Sequence, residues 1–425
     1  MMGLGAPLLL LGLFGMPLFA LILGLAMAGF YSRDISLAVV GIEMYRLAST
    51  PVLVAIPLFT FAGYVLSEAK TSSRMVRLTQ ALLGWMPGGM AAVALLACAL
   101  FTAFTGASGV TIVALGALLL PALVRTGYGE KFSLGLVTTS GALGLLIPPS
   151  LPLILFGIVA QQMDANYGIT LDKLFLAGIG PTLLMLALLS AYAIWVSGRR
   201  DVKLTAFSAR EALAALWAAR WELPLPIVVL GGIYGGWFAV SEAAAVTALY
   251  VLVVEVLIHR EIPYKRLPGL IVESMLMVGG ILIVLASALV LTNLMVDAEV
   301  PTRLFEFVRG WIDNKYTFLL ALNIFLLLLG AVLDIFAALV IVVPLILPIA
   351  VGYGVDPVHL AMIFLANMQI GYLTPPVGLN LFIASYRFNK PIQEIYRATA
   401  PFILVLLFAL GVITYWPALS LFLVN

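Results

Sequence analysis

The chain has 425 residues, of which 63% are hydrophobic and only 10% charged, with a mean hydropathy of +1.16 and a formal net charge of +2. Water-soluble domains carry about 25% charged residues, so this composition belongs to a lipid bilayer, and so small a net charge points to no nucleic-acid partner. A single cysteine, Cys98, excludes an intrachain disulfide and any multi-thiolate metal site within one chain.

A hydrocarbon core takes about 20 apolar residues per helical crossing, and continuous apolar runs of that kind rule out an antiparallel barrel. Crossings are expected over about 8–29, 50–67, 131–160, 175–198, 223–238, 242–258, 268–296, 358–386 and 399–423, with helical hairpins at about 88–123 and 317–350. The first stretch lacks a basic leader and a small-residue cleavage site, so a retained helix is expected there and not a signal peptide.

Amphipathic stretches begin at Arg77 and Arg303, each mixing charge with Leu and Trp, and read as arms or anchors lying in the membrane interface. The first hairpin turns at Thr105-Gly106-Ala107-Ser108-Gly109. Glycines there free backbone carbonyls and hydroxyls add neutral oxygen ligands, a cradle suited to Na⁺. Small residues that let helices pack closely would give the same composition.

In the segment Thr138 to Ser150, the tandem Pro148-Pro149 removes two amide donors and breaks the helix. Irregular backbone at membrane depth is tolerated only where it lines a cavity or is buried in protein. Glu242, following Ser241, reads as an acid in the first turn of a helix. His259 and His359 each lack a second histidine at ligand spacing, so metal other than sodium is not expected at either. The second hairpin turns at Gly330 to Asp334. An ionisable side chain at that depth costs several kcal/mol unless paired or cation-bound, which makes Asp334 a functional candidate. A second break follows in Asn367 to Gly378, with Thr374 just before Pro375-Pro376.

These features come in two copies. Arg77 to Arg303 is an offset of 226, Gly127 to Gly352 one of 225, and Pro148 to Pro375 one of 227, so the copies drift by only one or two residues. The expected organisation is a first repeat over 1–222, with hairpin 88–123 and broken helix 131–160, then a linker helix and second repeat over 223–425, with hairpin 317–350 and broken helix 358–386.

On this assignment 16 of the 22 Lys and Arg residues fall on one side, which the positive-inside rule makes cytoplasmic. The N-terminus is then cytoplasmic and the C-terminus outside. The two hairpins enter from opposite faces, so the repeats are inverted and their half-sites meet near the midplane. Hairpins made of two full crossings would leave the flanking loops on the same sides; the polar, glycine-bearing tips favour re-entrance. The fold class expected is an all-α integral membrane protein with inverted repeats, two re-entrant hairpins and two broken helices.

The runs Gly106-Ala-Ser-Gly109, Thr126-Gly127-Tyr128, Gly141 to Ser150, Gly232 to Val246 and Thr374-Pro-Pro-Val-Gly378 resemble the large membrane (M) subunit of tripartite ATP-independent periplasmic (TRAP) transporters over essentially the whole chain. The resemblance implies a Na⁺-driven, elevator-type importer of organic anions, carboxylates above all, in the bacterial inner membrane. It implies two partners beside the lipid bilayer, a small four-helix membrane (Q) subunit and a soluble periplasmic substrate-binding (P) protein.

Carried onto this sequence, the sodium sites fall on Gly106, Ser108, Gly144 and Pro148 in the first copy and on Asp334, Gly371 and Thr374 in the second. Many relatives show Ser-Gly-Ser-Ser at the first tip, so Ala107 here removes one hydroxyl. The candidate cavity holds no Arg or Lys. Anion binding would rest on Thr105, Ser150, Asn367 and the half-helix ends at Pro149 and Pro376. The hairpins and broken helices would move together against a scaffold built from the remaining helices.

No organic cofactor is expected, and no phosphate-binding loop for direct ATP coupling. A self-sufficient Na⁺/organic-anion symporter of the same architecture is the alternative. An intramembrane enzyme would need a nucleophile–base or metal cluster that the sequence does not offer.

Overall fold

The computed structural model describes residues 11, 14–86, 88–163, 167–198 and 206–424, and among them every regular element is helical. The first residues of the expected first crossing, together with Arg199, Arg200, Lys203 and the Phe104 side chain, lie outside what is described.

Among the described residues seven helices are long and apolar enough to cross a bilayer: Pro51–Glu68, Ser108–Arg125, Leu171–Ser197, Val240–Ile258, Leu267–Asp297, Ile335–Gly352 and Ile392–Tyr415. An eighth span is the pair Glu130–Leu146 and Leu151–Met163, bent by 40° at the first proline pair. The expected crossing over 223–238 forms only Pro224–Tyr234, eleven residues and roughly 16 Å of helix, because Gly235 and Gly236 end it in a turn. Two further helices were not expected, Ala38–Ala48 and Ala209–Ala218.

The hairpins form as two pairs of arms, Gly89–Thr105 with Ser108–Arg125 and Lys315–Gly330 with Ile335–Gly352. They are built by different local chemistry. The first arm of the first hairpin starts after Gly88 and ends at Gly106, both in the left-handed region. Both arms of the second begin at side-chain caps, Asn314 accepting from the Thr317 N–H at 2.8 Å and Asp334 from the Phe336 N–H at 3.0 Å. The stretches flagged at Arg77 and Arg303 are the amphipathic helices Thr71–Leu83 and Val300–Arg309, each leading into a hairpin.

Burial locates the centre of the molecule. Every residue from 358 to 371 is buried, as are residues 132–146 and 151–160, so the first broken helix and the first half of the second are enclosed, while the second half, Leu379–Phe388, is partly exposed.

Contacts divide the helices into two groups. The stretch 51–68 packs with 240–258 and 267–297, and the last of these also holds 18–31 and 38–48. The hairpins and broken helices pack among themselves, and they take 171–197 and 392–415 with them. The sequence-based expectation grouped these two helices with the scaffold, whereas they pack with the hairpins and breaks. Hydropathy identifies a crossing but not its neighbours. Helices 55–68 and 267–297 are the main lines of contact between the groups, touching Gly89–Thr105 and Ile335–Gly352 respectively.

Candidate functional site

The two hairpin tips face one cleft. A cleft of about 190 Å³ is lined by Gly106, Ala107 and Ser108 of the first tip, Asp334 and Ile335 of the second, and Leu145 and Tyr372 of the broken helices. A neighbouring cleft of about 310 Å³ shares Asp334, Phe336 and Met277 and continues along Gly280 and Val284 of helix 267–297. Asp334 therefore stands where the two open into each other.

At the first tip Gly106 adopts φ +66° and its N–H donates to the Thr102 carbonyl at 2.8 Å, closing the arm. The chain re-enters helix at Ser108, whose hydroxyl donates to Asn380 Oδ1 at 2.8 Å. Behind the tip, Thr102 Oγ1 donates to the Gly141 carbonyl at 2.9 Å and lies 2.7 Å from Thr111 Oγ1, tying both arms to the first broken helix.

At the second tip one carboxylate does two things. Asp334 Oδ2 caps helix 335–352, while Oδ1 accepts from the Tyr372 hydroxyl at 2.9 Å. That hydroxyl in turn accepts the Ile335 N–H at 2.7 Å. The Asp334 side chain is exposed to the cleft and keeps lone pairs beyond those already engaged. Around that carboxylate the cleft lining is mostly apolar, and Ser108, buried at the first tip, spends its hydroxyl hydrogen on Asn380.

Both breaks are held against their own hairpins by glycine. A Cβ at Gly371 would lie 2.6 Å from the Gly330 backbone, and one at Gly144 would lie 2.2 Å from the Ala99 carbonyl. The breaks differ in exposure, Pro148 and Pro149 being buried while Pro375 and Pro376 are exposed. Protein groups take several of the carbonyls around them: Ser150 Oγ donates to Leu145 O, Thr374 Oγ1 to Ile370 O at 2.9 Å, and Tyr396 OH to Pro376 O at 2.9 Å.

Of the residues singled out in the sequence, Gly106, Ser108 and Asp334 line the cleft. Gly144 and Gly371 sit behind it as contact points, and Pro148, Pro149 and Ser150 are buried at the first break. Thr105 is buried with its hydroxyl on the Phe101 carbonyl at 3.1 Å. Thr374 and Pro376 belong to the second break and do not line the cleft. Asn367 is elsewhere: its Nδ2 donates to Asn323 Oδ1 at 2.6 Å and to the Ile363 carbonyl at 2.8 Å, within a buried cluster that continues to Thr414.

Sequence reading missed Asn380 and Tyr372. Asn380 is wholly buried, spends its Oδ1 on Ser108 and leaves Nδ2 without a partner. The available signal was its place two residues after Gly378, at the start of the half-helix. Tyr372 lay inside the inspected run but reads as an ordinary packing aromatic.

Residues 4–419 match the family described as "Tripartite ATP-independent periplasmic transporter, DctM component". The isethionate TRAP transporter permease protein DctMQ of Oleidesulfovibrio alaskensis is 37% identical over 87% of this chain, which spans only 58% of that relative's length. The C4-dicarboxylate TRAP transporter large permease protein DctM of Pseudomonas aeruginosa is 35% identical over 93% of this chain and 91% of its own. Among solved structures, the YdaH transporter of Alcanivorax borkumensis superposes with a TM-score of 0.64 at 16% identity, covering 89% of this chain and 87% of its own, a likeness of fold.

Proposed function

The chain belongs to the DctM component family of tripartite ATP-independent periplasmic transporters, a multi-pass membrane permease and not an enzyme, and on that premise we propose that it imports an organic anion on a Na⁺ gradient. The observation that carries the reading is the junction of Ser108 and Asp334 on one cleft. Two tips from corresponding positions of two repeats, facing one cleft beside two broken helices, are what an ion-coupled carrier with a central site requires.

In this reading Na⁺ is a co-transported substrate. It binds against Asp334, Ser108 Oγ and the carbonyls of the first tip, offsets the carboxylate charge and leaves the cleft able to accept an anion. Asn380 braces Ser108 from behind, and Tyr372 holds Asp334 in place. Carboxylates are the substrate class proposed, in keeping with the C4-dicarboxylates named for the Pseudomonas relative. Selectivity is proposed to lie with a soluble periplasmic binding protein, a reading supported by a cleft lining without Arg or Lys. A small four-helix membrane subunit is proposed to seat against the 51–68, 240–258 and 267–297 group. The setting is the bacterial inner membrane, with the N-terminus cytoplasmic and the C-terminus periplasmic.

For movement we propose an elevator. The hairpins, the broken helices and helices 171–197 and 392–415 form the moving body, and the inverted, re-entrant hairpins carry the site between faces. The amphipathic helices Thr71–Leu83 and Val300–Arg309 link it to the stationary group. The test is uptake of a radiolabelled C4-dicarboxylate into proteoliposomes holding this chain, alone or with its candidate membrane and binding-protein partners, with and without a Na⁺ gradient. Na⁺-dependent uptake only in the three-component sample is expected. Robust uptake by the chain alone would replace the tripartite reading with a self-sufficient symporter, and uptake indifferent to Na⁺ would remove the coupling.

A further inference from the structure

Beneath the root of the first arm helix lies an ion cluster that the transport site does not use. Arg74 of helix Thr71–Leu83 faces three carboxylates: its Nε donates to Glu222 Oε1, its Nη2 to Glu255 at 3.1 Å and its Nη1 to Glu261 Oε1 at 2.6 Å. Glu222 and Glu255 side chains are 3% and 0% exposed. One guanidinium against three carboxylates leaves two negative charges in excess in a poorly hydrated place, a costly arrangement without further positive charge. Arg220, the next cation, is exposed and turned onto the Trp217 and Trp221 rings at 4.6 and 5.6 Å, and Lys70 offers Glu261 only its backbone N–H.

Two atoms in this cluster are buried and unpartnered, Glu222 Oε2 and His259 Nε2. Local backbone geometry brings them together. Val240–Leu252 continues as a π-helical turn over Val253–Ile258, and the His259 N–H donates to the Val254 carbonyl five residues back at 2.8 Å. A π turn holds more residues than an α turn, so His259 comes round over Glu255, four positions before it. Such turns recur at functional sites. Glu222 reaches in from the segment before Pro224–Tyr234, and one ligand atom from each of Glu222, Glu255 and His259 lies within 4.8 Å of the other two.

We propose that Glu222, Glu255 and His259 bind a divalent transition-metal ion that fixes the root of the first arm helix through Arg74. An imidazole nitrogen with two carboxylate oxygens is a donor set for Zn²⁺, Mn²⁺ or Fe²⁺. A dication also matches the two-charge excess. Arg74 engages one oxygen of Glu222 and both oxygens of Glu255, so Glu222 Oε2 is the free carboxylate oxygen while Glu255 would share an oxygen between Arg74 and the ion; Arg74 thereby orients both carboxylates and transmits occupancy to the arm. His259 has no second histidine at ligand spacing, and the carboxylates stand in for it.

The experiment uses the full chain, purified in detergent without an affinity tag, stripped with EDTA and titrated with Zn²⁺. The expected result is about one Zn²⁺ per chain by elemental analysis, a rise in the thermal midpoint on binding, and reversal by chelator. His259→Ala, just past the helix end, and Glu222→Gln, which keeps the side-chain size, should each weaken binding by at least about tenfold while helicity and monodispersity are retained. Substoichiometric Zn²⁺, or stoichiometric binding that both folded variants preserve, would overturn the proposal. So would a metal-free chain that gains stability on acidification and takes up no Zn²⁺, since protons would then be neutralising the carboxylates.

Discussion

Ser108 and Asn380 stand 272 positions apart in the chain and share a buried hydrogen bond of 2.8 Å, joining the tip of the first hairpin to the start of the second half-helix. Losing the Ser108 hydroxyl leaves Asn380 with neither end of its amide satisfied, because Nδ2 already lacks a partner. Ser108→Ala should therefore destabilise the protein by about 1–3 kcal/mol, read as a lower thermal midpoint in detergent. In a double-mutant cycle with Asn380→Ala, the two losses should fall short of additivity by at least about 0.5 kcal/mol. Additive losses would show that the pair does not brace the tip.

Asp334 combines a helix cap with a charge facing the cleft, and two substitutions separate them. Asp334→Asn keeps a side-chain oxygen for the Phe336 N–H but sets an amide NH2, which cannot accept, against the Tyr372 hydroxyl, so it should cost about 1 kcal/mol and lower Na⁺-dependent uptake by at least about tenfold. Asp334→Ala should add a stability loss of about 1 kcal/mol from the missing cap. Undiminished Na⁺ dependence in the Asn variant would take the carboxylate out of the ion site.

Gly371 and Gly144 mark where each break touches its own hairpin. A methyl group at Gly371 would sit 2.6 Å from the Gly330 backbone, and one at Gly144 2.2 Å from the Ala99 carbonyl, and neither neighbour is the free end of a side chain. Gly371→Ala and Gly144→Ala should each cost about 1–3 kcal/mol or more, with uptake reduced alongside stability. Gly411→Ala, which meets nothing within 4 Å, is the control and should be close to neutral.

Arg77 of the arm helix pairs with Glu211 of helix Ala209–Ala218 at 2.8 Å. The hydrogen bond from Arg77 holds the Glu211 carboxyl below its ordinary value of 4.5. A lowered folded-state value means this contribution to docking is present above the unfolded value and lost as pH falls through the folded one. Trp217, exposed on the same helix, provides a fluorescence probe. Its emission should change on acidification below pH 4.5 in the native chain, and that step should shrink in Arg77→Gln. An identical acid step in both proteins would assign it to other carboxylates.

Much of the architecture was legible because glycine and proline punctuate apolar sequence strongly. Gly106 ends an arm where its freedom to take positive φ predicted a tip, and each proline pair breaks its helix. What stayed hidden depends on neighbours distant in sequence. Nothing around Asn380 announces Ser108, Tyr372 looks like any packing aromatic, and nothing near Asn367 points to its partner Asn323, 44 positions away. The allegiance of helices 171–197 and 392–415 was equally invisible, since a stretch can be apolar enough for lipid and still be needed inside. The turn over Val253–Ile258 escaped notice because a π insertion leaves apolar spacing almost unchanged over so short a run.

The glycine contacts at Gly371 and Gly144 carry a mechanical consequence. Where two backbones touch with no side chain between them, no rotamer can swing aside and no shim can slip, so the joint either holds or comes apart. Each hairpin is thereby clamped to the kinked helix of its own half. On the proposed elevator, each tip should then move with the kinked helix of its own half and not as an independently flapping door.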